Sequence, residues 1–210
     1  MLAEHFGGYL PVVVDVTDAL EFGKENLIAV WADNSNDPNY PPGKQQEVLD
    51  FTYFGGIYRD CWLIAHNQVF ITDPNYENEE AGGGLFVAYN NVSDHSAEVL
   101  LKIQIRNSGR KAFKGVVEYE LQQPDGQQVA SLNSVIRIKP GKSTYSSDKL
   151  TVKSPMLWSP ENPALYNLII RIRDEKGNPI DGYRRRIGIR SIEFKGEDGF
   201  WLNGNLMKLR

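Results

Sequence analysis

One cysteine, Cys61, occurs in the 210 residues, so no disulfide can close within the chain. Flanked by Asp60 and Trp62 in an apolar run, Cys61 reads as a small buried side chain and says little about redox compartment. Long hydrophobic runs are missing as well. None approaches the ~20 residues that cross a bilayer, and no membrane partner is expected. Residues 1–9 carry neither a basic nor an apolar stretch, so no signal peptide is visible there. Nor is there an excess of positive charge. With 23 Lys and Arg against 27 Asp and Glu, the formal charge is −4, and nucleic-acid binding, which needs a concentrated basic face, is not expected. The one basic run, Arg184-Arg185-Arg186, falls inside an apparent strand and reads as a solvated strand face in preference to a phosphate patch. Three histidines, His5, His66 and His95, are too far apart for metal-ligand spacing. His95 follows Ser93-Asp94 in a turn and reads as solvated. No segment carries a convincing helical stripe; Thr17-Asp18-Ala19-Leu20 offers a single turn.

What the sequence has is strand after strand. Leu101, Ile103 and Ile105 alternate with Lys102, Gln104 and Arg106. Val117, Tyr119 and Leu121 alternate with Glu118, Glu120 and Gln122, and Leu168, Ile170 and Ile172 continue the rule. Successive side chains of a strand leave opposite faces, so this period of two fits a half-buried antiparallel sheet. Asn107-Ser108-Gly109, Pro124-Asp125-Gly126, Pro140-Gly141 and Lys176-Gly177-Asn178 separate the strands as turns. The fold class is all-β. Residues 1–64 form a first block, rich in aromatics and prolines, with a polar loop at 33–43. Residues 65–188 hold about seven strands of an immunoglobulin-like sandwich. Trp158, Pro160 and Tyr166 are expected at the edge of its core, where Pro155, Pro160 and Pro163 stiffen the chain. Residues 189–210 change in texture and read as the lead-in to another domain. Val12, Val14, Val16, Leu27 and Val30 give the first block strands whose apolar faces need a partner sheet. Self-association through that block, or its disorder, is therefore expected.

The chemical inventory is thin. Gly82-Gly83-Gly84 lacks a following Lys-Ser/Thr and precedes a strand, so it is no phosphate loop and reads as a flexible hairpin entry. No serine lies in a nucleophile elbow. Glu77, Glu79 and Glu80 cluster in a polar loop with nothing to desolvate a carboxyl and raise its pKa, so no catalytic role is assigned to them. The stretch Leu49-Asp50-Phe51-Thr52-Tyr53-Phe54-Gly55-Gly56-Ile57-Tyr58-Arg59-Asp60 is more informative. A carboxylate beside three aromatics can read a sugar, the acid accepting hydroxyl hydrogen bonds while rings cover the C–H surface. The same residues also fit a turn carboxylate next to core aromatics.

Here the sequence resembles a known family. "HFGGYLPVVVDVTDAL…FGKENLIAVWADNS", then "DFTYFGGIYRDCWLI", resembles the end of the sugar-binding jelly-roll domain of glycoside hydrolase family 2. "LWSPENPALYNLIIRIRDEKGNPID" is similar to the last part of that family's immunoglobulin-like domain. Ile187-Gly188-Ile189-Arg190 and "DGFWLNGNLMKLR" resemble its passage into the (β/α)₈ barrel. The matches follow the family's order over nearly the whole chain. The resemblance implies a partial jelly-roll sandwich (1–64), an immunoglobulin-like β-sandwich (65–188) and a short lead-in, 189–210, to a catalytic barrel that lies beyond. It implies a retaining β-glycosidase, most like a β-galactosidase, with β-glucuronidase and β-mannosidase as alternatives. Its catalytic glutamates belong to the barrel, so no catalytic residue is assigned here and the isolated chain is expected to be inactive. By resemblance, Asp50 matches an aspartate that contacts the substrate sugar and, in some β-galactosidases, a sodium ion. Arg59 and Asp60 read as a structural pair in the sheet. Sodium or magnesium is the cofactor implied for the complete enzyme, a β-galactoside carbohydrate its partner, and the bacterial periplasm or cytoplasm its location. A free-standing carbohydrate-binding module and an adhesion sandwich are the competing readings.

Overall fold

Where apolar side chains recur every second residue beyond position 65, the chain builds strands. The computed structural model describes residues 2–51, 55–80 and 82–208. It divides into two compact units, Met1–Ala65 and His66–Arg210.

The second unit is a two-sheet antiparallel sandwich. One sheet is centred on β3 (Ser96–Asn107), with β6 (Lys142–Lys153) along one side. Along the other side, β1 (Val69–Ile71) pairs with residues 105–107 of β3 and β2 (Leu85–Asn90) with residues 98–103. These two strands share one edge end to end, so the sandwich has eight strands where about seven were expected. The short helix α1 (Pro74–Glu77) occupies the interruption. Asp73 caps it, accepting from the backbone N–H of Asn75 and Tyr76, and Pro74 at its first position has no N–H to leave unpaired. The opposite sheet runs in the order β5 (Gln128–Ile138), β4 (Phe113–Gln122), β7 (Tyr166–Asp174), β8 (Pro179–Ile187).

The core is the set of side chains that the alternation pointed inward. Val99, Leu101, Ile103 and Ile105 of β3 meet Val117, Tyr119 and Leu121 of β4 and Leu168, Ile170 and Ile172 of β7, all buried. Each such aliphatic side chain contributes roughly 1.5–3 kcal/mol by leaving water. Tyr119 brings a hydroxyl into this core close to Ser146 and Asp148, and burial, above all, raises its pKa.

Residues 154–165 close the sandwich at one end. The Tyr166 hydroxyl, inside the core, accepts from the Met156 backbone N–H at 2.8 Å. Trp158 is half-buried. It packs over Gly188, where an added Cβ would lie 3.0 Å from the indole, and the Arg190 guanidinium sits 4.7 Å from its ring. Pro160 is exposed, not at the core edge as expected. It lies on the tight turn formed when Ser159 N–H donates to the Asn162 carbonyl, which lifts it off the sheets. Beyond Arg190 a small sheet follows, β9 (Ile192–Phe194), β10 (Phe200–Leu202) and β11 (Asn205–Met207). Asn203-Gly204 turns its hairpin with φ of +52° and +76°. The Asn203 amide donates to the Trp158 carbonyl and accepts from the Ser191 N–H, each at 3.0 Å.

The first unit differs from expectation. Among its described residues there are two 3₁₀ turns, Thr17–Ala19 and Gln46–Val48, and no strand. Val12, Leu27 and Val30 are exposed. The strands expected there do not form because a strand's N–H and C=O groups need a neighbour to bond, and the described residues offer none. Cys61, expected to be buried, is exposed for the same reason. Among the described residues, no helix is long and apolar enough to cross a membrane.

Candidate functional site

The residues singled out around Asp50 lie on irregular chain held by local contacts. Asp50 is exposed in a bend just after the turn Gln46–Val48. Phe51 and Tyr58 are exposed beside it in sequence, and Thr52, Tyr53 and Phe54 lie outside the described residues. Three contacts gather the loops of this unit. Gly55 sits under Asn34, where a Cβ would be 2.3 Å from the Asn34 Cγ. The Tyr58 hydroxyl donates to the Gly8 carbonyl at 2.7 Å, and Phe6 stacks on Tyr40 with ring centres 4.8 Å apart. Gly55 and the Asp33–Ser35 turn are therefore neighbours, a closeness that sequence separation hid. In that turn Asp33 accepts from the Ser35 N–H at 2.8 Å, and the hydrogen bonds from Ser35 hold its carboxyl below the usual range. Arg59 and Asp60 are both exposed and form no pair within a sheet; the Arg59 guanidinium lies 6.0 Å from the Tyr58 ring.

An exposed carboxylate beside aromatic rings can accept hydrogen bonds from sugar hydroxyls. It cannot by itself cage a cation: magnesium demands near-octahedral oxygen coordination. Among the described residues no group of three His, Cys, Asp or Glu converges. The set around Asp50 thus does not fit a complete sodium or magnesium site, and no chemical step is routed through a metal.

The acidic loop of the second unit has a structural task. Glu77, only 5% exposed, takes the Arg106 guanidinium at 2.5 Å. Glu79 accepts from the Tyr145 hydroxyl at 2.7 Å and from the Gln104 amide at 3.1 Å. Buried Gln104 in turn accepts from Thr72 Oγ1 at 2.7 Å, which accepts from the Gly84 N–H at 2.9 Å. The Gly82–Gly84 segment is buried and closely packed, not the flexible entry expected. Gly83, at φ +72°, would put a Cβ 2.9 Å from Pro74 Cα. His66, which the sequence left without a role, lies 3.3 Å from Asp181, whose other oxygen accepts from the Ile71 N–H. His95 is solvated beside Asp94. Hydrogen bonds hold the carboxyls of Asp15, Asp33, Glu98, Glu120 and Asp174 low, the opposite of what a general acid needs.

The fold and these sites define a class, an all-β sandwich protein whose clustered acids Glu77 and Glu79 serve structure. The match of residues 84–190 to the family model "Glycosyl hydrolases family 2" places the chain more narrowly: it belongs to that family. A β-glucuronidase of Formosa agariphila is 31% identical over 99% of this chain and 21% of its own length. A β-galactosidase of Thermoanaerobacter pseudethanolicus is 30% identical over 100% of this chain and 26% of its own. The crystal structure of a Bacteroides uniformis β-glucuronidase superposes with a TM-score of 0.78 at 30% identity, covering 94% of this chain and 23% of that one. The chain thus spans about a fifth to a quarter of the length of these relatives.

Proposed function

We propose that this chain is a non-catalytic segment of a longer retaining β-glycosidase that hydrolyses terminal β-D-galactosyl residues. The observation that carries this reading is the family match across the sandwich, together with end-to-end similarity to enzymes named β-galactosidase. A β-glucuronidase reading stands beside it, because relatives of that name are as similar over as much of the chain. In either case the sandwich acts as a rigid spacer. Asp50 reaches the substrate sugar from the first unit, with sodium as a second contact supplied mainly by residues elsewhere. Glycosidase chemistry needs two carboxyl groups flanking the scissile bond, ~5 Å apart for retention. Hydrogen bonds lower the pKa of Asp15, Asp33, Glu98, Glu120 and Asp174, away from the raised value that the acid partner needs.

Aryl β-D-galactoside and aryl β-D-glucuronide assays test this on the isolated chain and on the complete polypeptide carrying it. The isolated chain should release no chromophore from either. The complete polypeptide should turn over one of them, with the β-anomer as first product by NMR. An Asp50→Ala change there should lower kcat/KM about 10- to 100-fold, the effect of a charge-assisted sugar hydrogen bond lost from the transition state. Turnover by the isolated chain would remove the assignment of catalysis to residues elsewhere, and inactivity of the complete polypeptide on both substrates would remove the glycosidase reading.

A further inference from the structure

The outer face of the β5-β4-β7-β8 sheet distributes its charge unevenly. On β7, Arg171 donates to Glu120 at 2.7 Å and Arg173 to Glu118 at 2.8 Å, so both guanidiniums are neutralised from β4. On β8, Arg184 and Arg186, paired with Ile169 and Asn167, lie on this face, while Arg185, paired with buried Leu168, leaves the other; all three are exposed, and among the described residues none has a carboxylate partner. Arg184 and Arg186, two positions apart, share a face about 7 Å apart. Both nitrogens of the Arg184 fork that point to β7 donate to the Asn167 side-chain oxygen, at 3.3 and 2.9 Å. That contact fixes the orientation of the guanidinium without consuming its charge. Arg185 is held by Tyr183, donating to its hydroxyl with the guanidinium 5.3 Å from the ring. With Leu165 and Asn167 these arginines line an open depression of about 630 Å³, within the range of small-molecule sites.

We infer that this face of β8 is a binding site for a uronate-bearing oligosaccharide. The inference deepens the glycosidase reading and rests on it. A planar, oriented guanidinium fork matches a carboxylate bidentately. Leu165 offers an apolar floor for the C–H face of a sugar ring, and Asn167 an amide within reach of a hydroxyl. A long polyanion such as nucleic acid fits poorly, because a chain of net charge −4 repels it beyond this small patch.

The test is an NMR titration of the 210-residue chain with a β-linked tetraglucuronate, a neutral gluco-oligosaccharide of equal length, and polyglutamate of matched charge. The tetraglucuronate should shift the amide signals of 165–167 and 184–186 saturably, and the neutral sugar should not. The double change Arg184→Ala/Arg186→Ala should weaken binding at least about tenfold. Arg184→Lys, which keeps the charge and loses the fork, should weaken it about threefold or more, and Arg137→Ala on distant β5 should change nothing. Equal binding of polyglutamate, full affinity in Arg184→Lys, or no saturable shift with the tetraglucuronate would each overturn the inference. The readout is binding, not turnover, so its failure leaves the glycosidase reading to be judged by the aryl glycoside assays alone.

Discussion

At Gly115 in β4 a methyl group has no room. An added Cβ would lie 2.1 Å from the Arg173 carbonyl oxygen of β7, and that oxygen belongs to the backbone ladder that joins the two strands. Gly115→Ala must therefore part β4 from β7 locally, and we expect a loss of about 2–4 kcal/mol in urea unfolding. Gly182 in β8 is the control. Its nearest Cβ contact, the Ile170 carbonyl at 3.8 Å, is ordinary packing, so Gly182→Ala should leave stability within about 1 kcal/mol of the parent. Equal effects at the two positions would mean that backbone crowding does not explain Gly115. The carboxyl of Glu120 is a second residue with a consequence for stability. The hydrogen bonds from Arg171 and then Gln122 hold its pKa below the usual value. A carboxyl lowered in the folded state stabilises the fold at pH values above its unfolded pKa of about 4.3. That contribution is lost as pH falls through the lowered folded value. Glu120→Gln should accordingly flatten the acid limb of the unfolding midpoint against pH, and leave the slope above pH ~6 unchanged.

Elements in this molecule are held by polar clasps as well as by the core. The excursion between β1 and β2 breaks an edge strand and would leave the edge of β3 open were it not fastened. Arg106 from β3 fastens it through Glu77 and Gln104 through Glu79. Glu77 is almost fully covered while Arg106 is a third exposed, so removing the arginine strands a buried carboxylate. We expect Arg106→Ala to cost about 3 kcal/mol and Glu77→Gln distinctly less, because the amide leaves no buried charge behind. Hydrogen exchange should localise the loosening to residues 72–84. Exchange spread evenly over the sandwich would argue that the excursion is not a separate unit of stability.

The whole molecule pairs a closed sandwich with a first unit that keeps much apolar surface in water. Leu27 is 96% exposed, Trp31 91% and Trp62 78%. Apolar surface of that kind, on chain with unpaired backbone, favours association with other chains. The isolated 210-residue chain should form concentration-dependent oligomers in sedimentation velocity, with the Trp31 and Trp62 emission shifting to the blue as they form. A monomer of unchanged emission at high concentration would contradict this.

How much of this was legible in the sequence depends on where the information is stored. The inward residues of β3, β4 and β7 were readable because a strand's geometry repeats every two residues, so Leu101 through Ile172 announced their burial locally. At Asp50 the residues fitted both a sugar contact and a turn carboxylate, and only the resemblance to a family favoured the first, since an exposed acid among aromatics has no period. Tertiary structure alone decided that Glu77 and Glu79 are clasps, that Gly82–Gly84 is packed, and that Arg184 is held by Asn167 while Arg171 is neutralised by Glu120. It also decided that Val12–Val16 pair with nothing among the described residues. Those outcomes turn on which distant groups come within hydrogen-bond reach, and that distance is a property of the folded chain and not of any stretch of sequence.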